Sequence, residues 1–128
     1  MRLLIDTEVF IWSLMQPESL GGRATDAILD PVNSLIMSVV TPWEIAIKTN
    51  SGKLSFPVTL DELLALIRHQ FEYDILPIEI GHALAMQGLP MVHRDPFDRM
   101  LVAQAKFENL TIVTNDRMIA AYDVQILW

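Results

Sequence analysis

His93-Arg94-Asp95-Pro96-Phe97-Asp98-Arg99-Met100-Leu101-Val102-Ala103-Gln104-Ala105 reads as a loop running into an apolar-faced helix with two carboxylates at its mouth. Asp-Pro is a helix-start pair: the carboxylate can take a first-turn amide, and proline at the first helical position has no amide to leave unsatisfied. Three further acids stand in comparable places. Asp6 closes the apolar run Leu3-Leu4-Ile5, Glu44 enters a helix after Leu35-Ile36-Met37, and Asp116 follows Leu110-Thr111-Ile112-Val113-Thr114. Each stands where a strand has just ended. In a parallel α/β sheet the strand C-termini share one edge, so acids far apart in sequence can meet in one cleft.

Outward from that stretch, strand and helix alternate along the chain. Arg2 to Asp6 is a short apolar run that stops at a charge, as a buried strand does. A helix follows from Thr7, whose hydroxyl is offered as a cap, and Pro17 ends it. Gly21-Gly22 breaks the chain before a short helix from about Arg23 to Leu29, and Leu35 to Val40 is the second strand. Thr41-Pro42-Trp43-Glu44 carries an N-cap, a first-position proline and a third-position glutamate, with Gly52 marking the end of that helix. Thr59-Leu60-Asp61-Glu62 repeats the capping pattern before an amphipathic helix to about Phe71. Ile75 to Ile78 gives the third strand and Glu79 to Gln87 a helix that Gly88-Leu89-Pro90 breaks. The helix from Pro96 to about Glu108, a strand from Leu110 to Thr114, a short helix from Asp116 to Ala121 and a strand from Val124 to Leu127 complete the chain. Crossovers of this length predict a parallel sheet with helices on both faces, a three-layer α/β/α architecture over residues 1–128 as one domain.

The 128 residues are enough to bury a core without a disulfide, and the absence of cysteine removes thiol catalysis and thiolate metal sites. No apolar run approaches a signal-peptide core or a membrane span, so a cytoplasmic protein with no membrane partner is expected. A formal charge of −7 argues against a nucleic-acid partner unless the acids hold cations. Two divalent ions would bring it to −3, and nine Lys and Arg remain to form a local basic rim. An apolar content of 52% with seven methionines exceeds what so small a core needs, which points to an interface.

Asp6-Thr7, Pro42-Trp43-Glu44-Ile45-Ala46 with Lys48, the stretch from His93 to Ala105, and Val113-Thr114-Asn115-Asp116 resemble the four motif blocks of PIN-domain ribonucleases. They are most similar to VapC-type toxins of prokaryotic toxin–antitoxin pairs. The likeness runs from Met1 to Tyr122, with the blocks in the family's order and at its spacings. It implies a five-stranded sheet of order 3-2-1-4-5, in which strands one and four are neighbours and bring Asp6 beside Asp116. It also implies an RNA substrate cut endonucleolytically, a small VapB-like antitoxin that covers the site with a basic residue among the acids, and a homodimer.

Each candidate has an ordinary structural role beside the functional one. Asp95 is first an N-cap and then an outer partner of the metal acids; Asp98 matches the family's acid before a small apolar helix face and is taken as a ligand. Glu44 reads locally as a capping-box residue and by resemblance as a member of the acidic cluster, with Lys48 on the same helical face. Asp6 is the strongest candidate, because a carboxylate ending a buried strand is costly without a partner. Asp116 sits beside Asn115, itself a good cap. Asp6, Glu44, Asp98 and Asp116 are therefore assigned as catalytic metal ligands, with Asp95, Thr7 and Thr114 in support. Arg94, Arg99 and Arg117 flank the acids, and Arg99, Arg117 and Lys48 are assigned as phosphate contacts. His93, a lone histidine before a turn, is left out of the chemistry, and His69 and His82 show no metal spacing. Phe10, Trp12 and Trp43 are read as core more readily than as interface.

A site of four or five carboxylates with nothing soft in it suits Mg²⁺ or Mn²⁺, hard ions that prefer oxygen. The expected chemistry is metal-dependent phosphodiester hydrolysis with one or two ions. A haloacid-dehalogenase-like phosphatase wants a second Asp two residues after the first, where this chain has Glu8. A phosphoacceptor receiver domain wants an Asp after the third strand, where this chain has Glu79. A binding or scaffold protein that keeps the fold without catalysis is the remaining alternative, and retention of every acid weighs against it.

Overall fold

A computed structural model describes residues 1–69 and 72–128. Its sheet has five strands, all parallel, in the order β3-β2-β1-β4-β5, as the resemblance implied. The strands are β1 (Arg2–Ile5), β2 (Ser34–Ser38), β3 (Asp74–Leu76), β4 (Thr111–Val113) and β5 (Gln125–Leu127). The helices are α1 (Thr7–Met15), α2 (Gly22–Leu29), α3 (Val40–Asn50), α4 (Leu60–His69), α5 (Ile80–Ala85), α6 (Pro96–Glu108) and α7 (Arg117–Ala120), with short 3₁₀ turns at Pro17–Ser19 and Met86–Gly88.

Two apolar clusters, one on each face of the sheet, account for the three layers. Strand side chains alternate faces, so Leu3 and Ile5 point one way and Leu4 the other, and Met37 and Val113 oppose Ile36 and Ile112. The first set packs with Val9 and Phe10 of α1, Ala24 and Ala27 of α2, and Leu63 and Ile67 of α4. The second packs with Leu101, Val102, Ala103 and Ala105 of α6 and Ile119 of α7. Phe10 is core, as expected, whereas Trp43 is half exposed with its ring 4.9 Å edge-on to Phe97, and Trp12 is partly buried against Trp128.

Two helix starts differ from expectation. The second strand stops at Ser38, not Val40, and α3 begins at Val40, where the Ser38 hydroxyl accepts from the Val40 amide at 3.0 Å. Thr41 is consequently not the N-cap but lies inside the first turn, and Pro42 is tolerated there because first-turn amides have no helical acceptor anyway. Glu44 thereby moves out of capping range. Thr7 does not cap α1 either; Asp6 holds the cap position, and the Thr7 hydroxyl instead meets that of Thr41 at 3.1 Å, tying α1 to α3.

The other ends follow their signals. Lys53 donates to the Lys48 carbonyl and Gly52 to that of Thr49, a paired closure that uses Gly52 at φ 74° to turn the chain back at the end of α3. Thr59 and Glu62 form the expected reciprocal cap on α4, whose expected end near Phe71 lies outside the described residues. Asp95 accepts from the amides of Phe97 and Asp98, and Asn109 at φ 54° ends α6. Among the described residues, no helix is long and apolar enough to cross a membrane.

Candidate active site

The topology puts the C-terminal ends of β1, β2 and β4 side by side, and a cleft of about 290 Å³ opens there, lined by Asp6, Glu44, Asp95, Asp98 and Asp116 together with Thr7, Lys48 and Lys53. Asp6 comes directly off β1, and Asp116 caps α7 three residues after β4, accepting from the Met118 amide at 2.7 Å. Between them stands Thr114, buried, whose hydroxyl donates to Asp6 Oδ2 at 2.7 Å and accepts from the Asp116 amide at 3.0 Å. One hydroxyl fixes both acids. Glu44 reaches the cleft from the second turn of α3, which touches both α1 and α6, and Asp98 from the first turn of α6. The cleft thus gathers every acid assigned from the sequence.

Concentrated negative charge with little water around it opposes ionisation. Burial, reinforced by the carboxylates of Asp6, Asp95, Glu44 and Asp116, pushes Asp98 up to about 8. Burial likewise raises Asp6 to about 6, with the Thr114 hydrogen bond working against it and Glu44 and Asp116 adding to it. Lys48 pairs with Glu44 Oε2; burial pulls its ammonium down, but Glu44, Asp95 and Asp98 together hold it above the ordinary lysine value.

Two buried atoms in this region have no hydrogen-bond partner: Glu44 Oε1, the oxygen Lys48 does not take, and His93 Nε2. Orphaned buried polar atoms beside acids that resist ionisation are what a divalent cation would satisfy, and the oxygen-rich donor set fits a hard ion. His93 Nε2, Asp98 and Asp116 offer three ligand atoms within 4.8 Å of one another.

His93 is the residue that sequence reasoning set aside. It does not face solvent: its Nε2 lies 2.8 Å from Asp98 Oδ2 and 3.6 Å from Asp116 Oδ2. What brings it there is nonlocal. The Tyr122 hydroxyl accepts from the His93 amide at 2.9 Å, and Arg99 Nη1 donates to that hydroxyl at 3.0 Å, to the Pro90 carbonyl at 2.8 Å and to the His93 carbonyl at 3.4 Å. The Arg99 guanidinium, expected on phosphate, is thus already engaged within the fold. Arg99 is buried, with its guanidinium spent on the loop that carries His93. Lys53, also missed, reaches the cleft through the Gly52 reversal, for which the glycine was the only signal. Arg94 and Arg117 are exposed beside the acids, and His82 is buried away from the cleft between the Glu79 amide and Glu108.

The family model described as PIN domain matches residues 3–125. Among solved structures the chain is similar to a chain of the FitAB complex bound to an IR36 DNA fragment, at 22% identity and a TM-score of 0.68 over 97% of this chain and 92% of that one. It is similar at 19% identity and 0.66 to a chain of VapBC-1 from nontypeable Haemophilus influenzae, over 98% and 96%. DNA-bound VapBC from Salmonella typhimurium gives 16% identity and 0.69, again over 98% and 96%. At these identities the shared property is the fold. No curated protein matches the chain.

Proposed function

The chain belongs to the PIN-domain family, whose members are generally nucleases, and on that premise we propose that it is a metal-dependent endoribonuclease acting as the toxin of a toxin–antitoxin pair. The observation that carries this reading is the meeting of Asp6, Glu44, Asp98 and Asp116 in one cleft, with burial pushing two of them toward protonation unless a cation is present. Mg²⁺ or Mn²⁺ would be held by those four carboxylates, with Asp95 behind them. When bound, such an ion supplies a water of lowered pKa for in-line attack on phosphorus and charge stabilisation for the leaving oxygen.

The chain's own residues do the rest. Thr114 holds the Asp6 carboxylate by its Oδ2 in the lining of the cleft. Asp95 is committed to the amides of Phe97 and Asp98, which fixes the first turn of α6 and with it the place of Asp98. Lys48 and Lys53 on the wall, with Arg117 exposed beside Asp116, give the phosphate backbone positive charge to approach. No nucleophilic side chain is needed for this chemistry.

The same reading takes residues 1–128 as one cytoplasmic domain, with a small VapB-like antitoxin and a second copy of the chain as partners. Its support is the apolar surface left open: Trp43, Ile47, Leu60, Leu64 and Ile75 beside α3 and α4, and Ile80, Leu84 and Met91 around α5. An amphipathic antitoxin segment would lie on such a surface while a basic residue enters the acids. That the similar solved chains come from complexes named FitAB and VapBC supports the antitoxin partner.

Incubation of the purified protein with mixed RNA tests the activity. Cleavage should require Mg²⁺ or Mn²⁺, stop with EDTA, and fall at least about a hundredfold in Asp98→Asn, since losing even an outer partner of a metal ligand costs about 10–100-fold. Asp95→Asn should cost less than Asp98→Asn, because Asn caps nearly as well. Undiminished cleavage by Asp98→Asn, or in EDTA, would refute the reading.

A further inference from the structure

We propose that His93 is a direct ligand of the cation in the acidic cleft, and that this nitrogen makes the site select Mn²⁺ over Mg²⁺. The inference rests on the metal-dependent reading above and adds to it a residue and an ion preference that a purely acidic site would not have.

Three observations carry it. First, His93 Nε2 is buried and lacks a hydrogen-bond partner even though carboxylate oxygens lie 2.8 and 3.6 Å away. The imidazole therefore approaches Asp98 and Asp116 without aiming its nitrogen along a hydrogen bond to either. Second, the spacing suits a shared ion. At metal–ligand distances of about 2.1 Å, neighbouring ligand atoms of an octahedron stand roughly 3 Å apart and opposite ones roughly 4.2 Å, and the Nε2, Asp98 and Asp116 atoms lie within 4.8 Å of one another. Third, the ring is placed by a built framework. A buried arginine and a buried tyrosine, Arg99 and Tyr122, hold the His93 carbonyl and amide, so the ring's position is fixed from both sides of its own residue.

The Nδ1 atom accepts from the Asp95 amide at 3.4 Å, which leaves Nε2 as the ring nitrogen that faces the acids. An ion in the cleft would take the Nε2 lone pair in place of a proton there. Glu44 Oε1, buried and unpartnered, supplies a further open acceptor to the same cleft. Mg²⁺ favours an all-oxygen environment, whereas imidazole is a ligand of first-row transition ions, among which Mn²⁺ also accepts a mostly carboxylate set. One nitrogen among several carboxylates therefore tilts the choice toward Mn²⁺ without excluding oxygen-only binding of Mg²⁺ at lower affinity.

Pulsed electron paramagnetic resonance on the wild-type protein with substoichiometric Mn²⁺ reads the ligand directly. A nitrogen coupling should appear and should change its isotope pattern when histidine is labelled with ¹⁵N. Of the three histidines, His93 has its Nε2 beside Asp98 and Asp116, whereas His82 is held against Glu108 and His69 ends α4, so the coupling belongs to His93. In His93→Ala the coupling should vanish and the Mn²⁺ dissociation constant should rise about tenfold or more, while the Mg²⁺ constant moves less than about threefold. Mn²⁺ bound without nitrogen coupling in the wild type, or equal losses for both ions in His93→Ala, would overturn the inference and leave the acidic metal site standing. Failure of the wild type to bind either ion would overturn both.

Discussion

The residues that settle the site are held by a few short bonds whose loss should be measurable one at a time. Arg99 illustrates the point. A buried guanidinium donating to the Pro90 and His93 carbonyls and to the Tyr122 hydroxyl stabilises the loop before α6, and removing it leaves buried acceptors without a donor. Arg99→Ala is expected to lower unfolding stability by about 2–3 kcal/mol in urea titration. It should also impair RNA cleavage through displacement of His93, and Arg99→Lys should recover little, because one ammonium cannot reproduce the planar fork. If Arg99→Ala keeps its stability and only weakens RNA binding, the phosphate role read from the sequence was correct after all. The sequence misled here because an arginine next to an acid looks the same whether it faces substrate or a loop carbonyl. His93 was missed for the matching reason: nothing local says that Tyr122, 29 residues on, will fold the loop back toward the acids.

At the scale of elements, most helix ends could be read from local chemistry, since a cap needs only its own neighbours. The reciprocal Thr59 and Glu62 bonds and the Asp95 cap formed as their patterns predict. Thr41-Pro42-Trp43-Glu44 has an equally good pattern and did not cap, because β2 ends earlier than its apolar run and Ser38 supplies the oxygen first. That shift releases Glu44 for the cleft. The other end of α3 depends on Gly52, whose φ of 74° is strained for any residue with a Cβ although the space around it is open. Gly52→Ala should cost about 1–2 kcal/mol through the backbone alone, measured by urea denaturation. A cost near zero would mean the reversal that delivers Lys53 to the cleft is not fixed by that glycine.

For the whole molecule, the alternation of short apolar runs and helices was enough to give a parallel sheet with two helical layers. Its strand order came from resemblance, because periodicity says which residues face a core and not which strand lies beside which. The site followed from the architecture: Leu3, Leu4 and Ile5 are buried on both faces of β1, so the next residue, Asp6, emerges at the sheet edge beside Thr114. The clustering of acids has a cost in stability. A carboxylate whose folded-state pKa is raised contributes most below its unfolded value and loses that contribution as pH rises through the folded one. With Asp6 raised to about 6 and Asp98 to about 8 from 3.8, the metal-free protein should lose stability steadily from about pH 4 to pH 8. Denaturant titrations in EDTA across that range check it, and a stability that rises instead would contradict the assigned shifts.

Thermal melts of wild type and Asp6→Asn at pH 7, each in EDTA and in excess Mn²⁺, test most directly whether the acids form one metal-binding cluster. An ion that binds only the folded cleft stabilises it by about 2.7 kcal/mol at a hundredfold excess over its dissociation constant, a rise of roughly 10 °C for a chain of this size. The account predicts that Asp6→Asn melts higher than wild type in EDTA, because a charge that burial opposes is gone while the side-chain oxygen can still accept from Thr114. It also predicts that most of the Mn²⁺ shift disappears in Asp6→Asn. Equal Mn²⁺ shifts in both proteins, or a metal-free Asp6→Asn that melts lower than wild type, would contradict it.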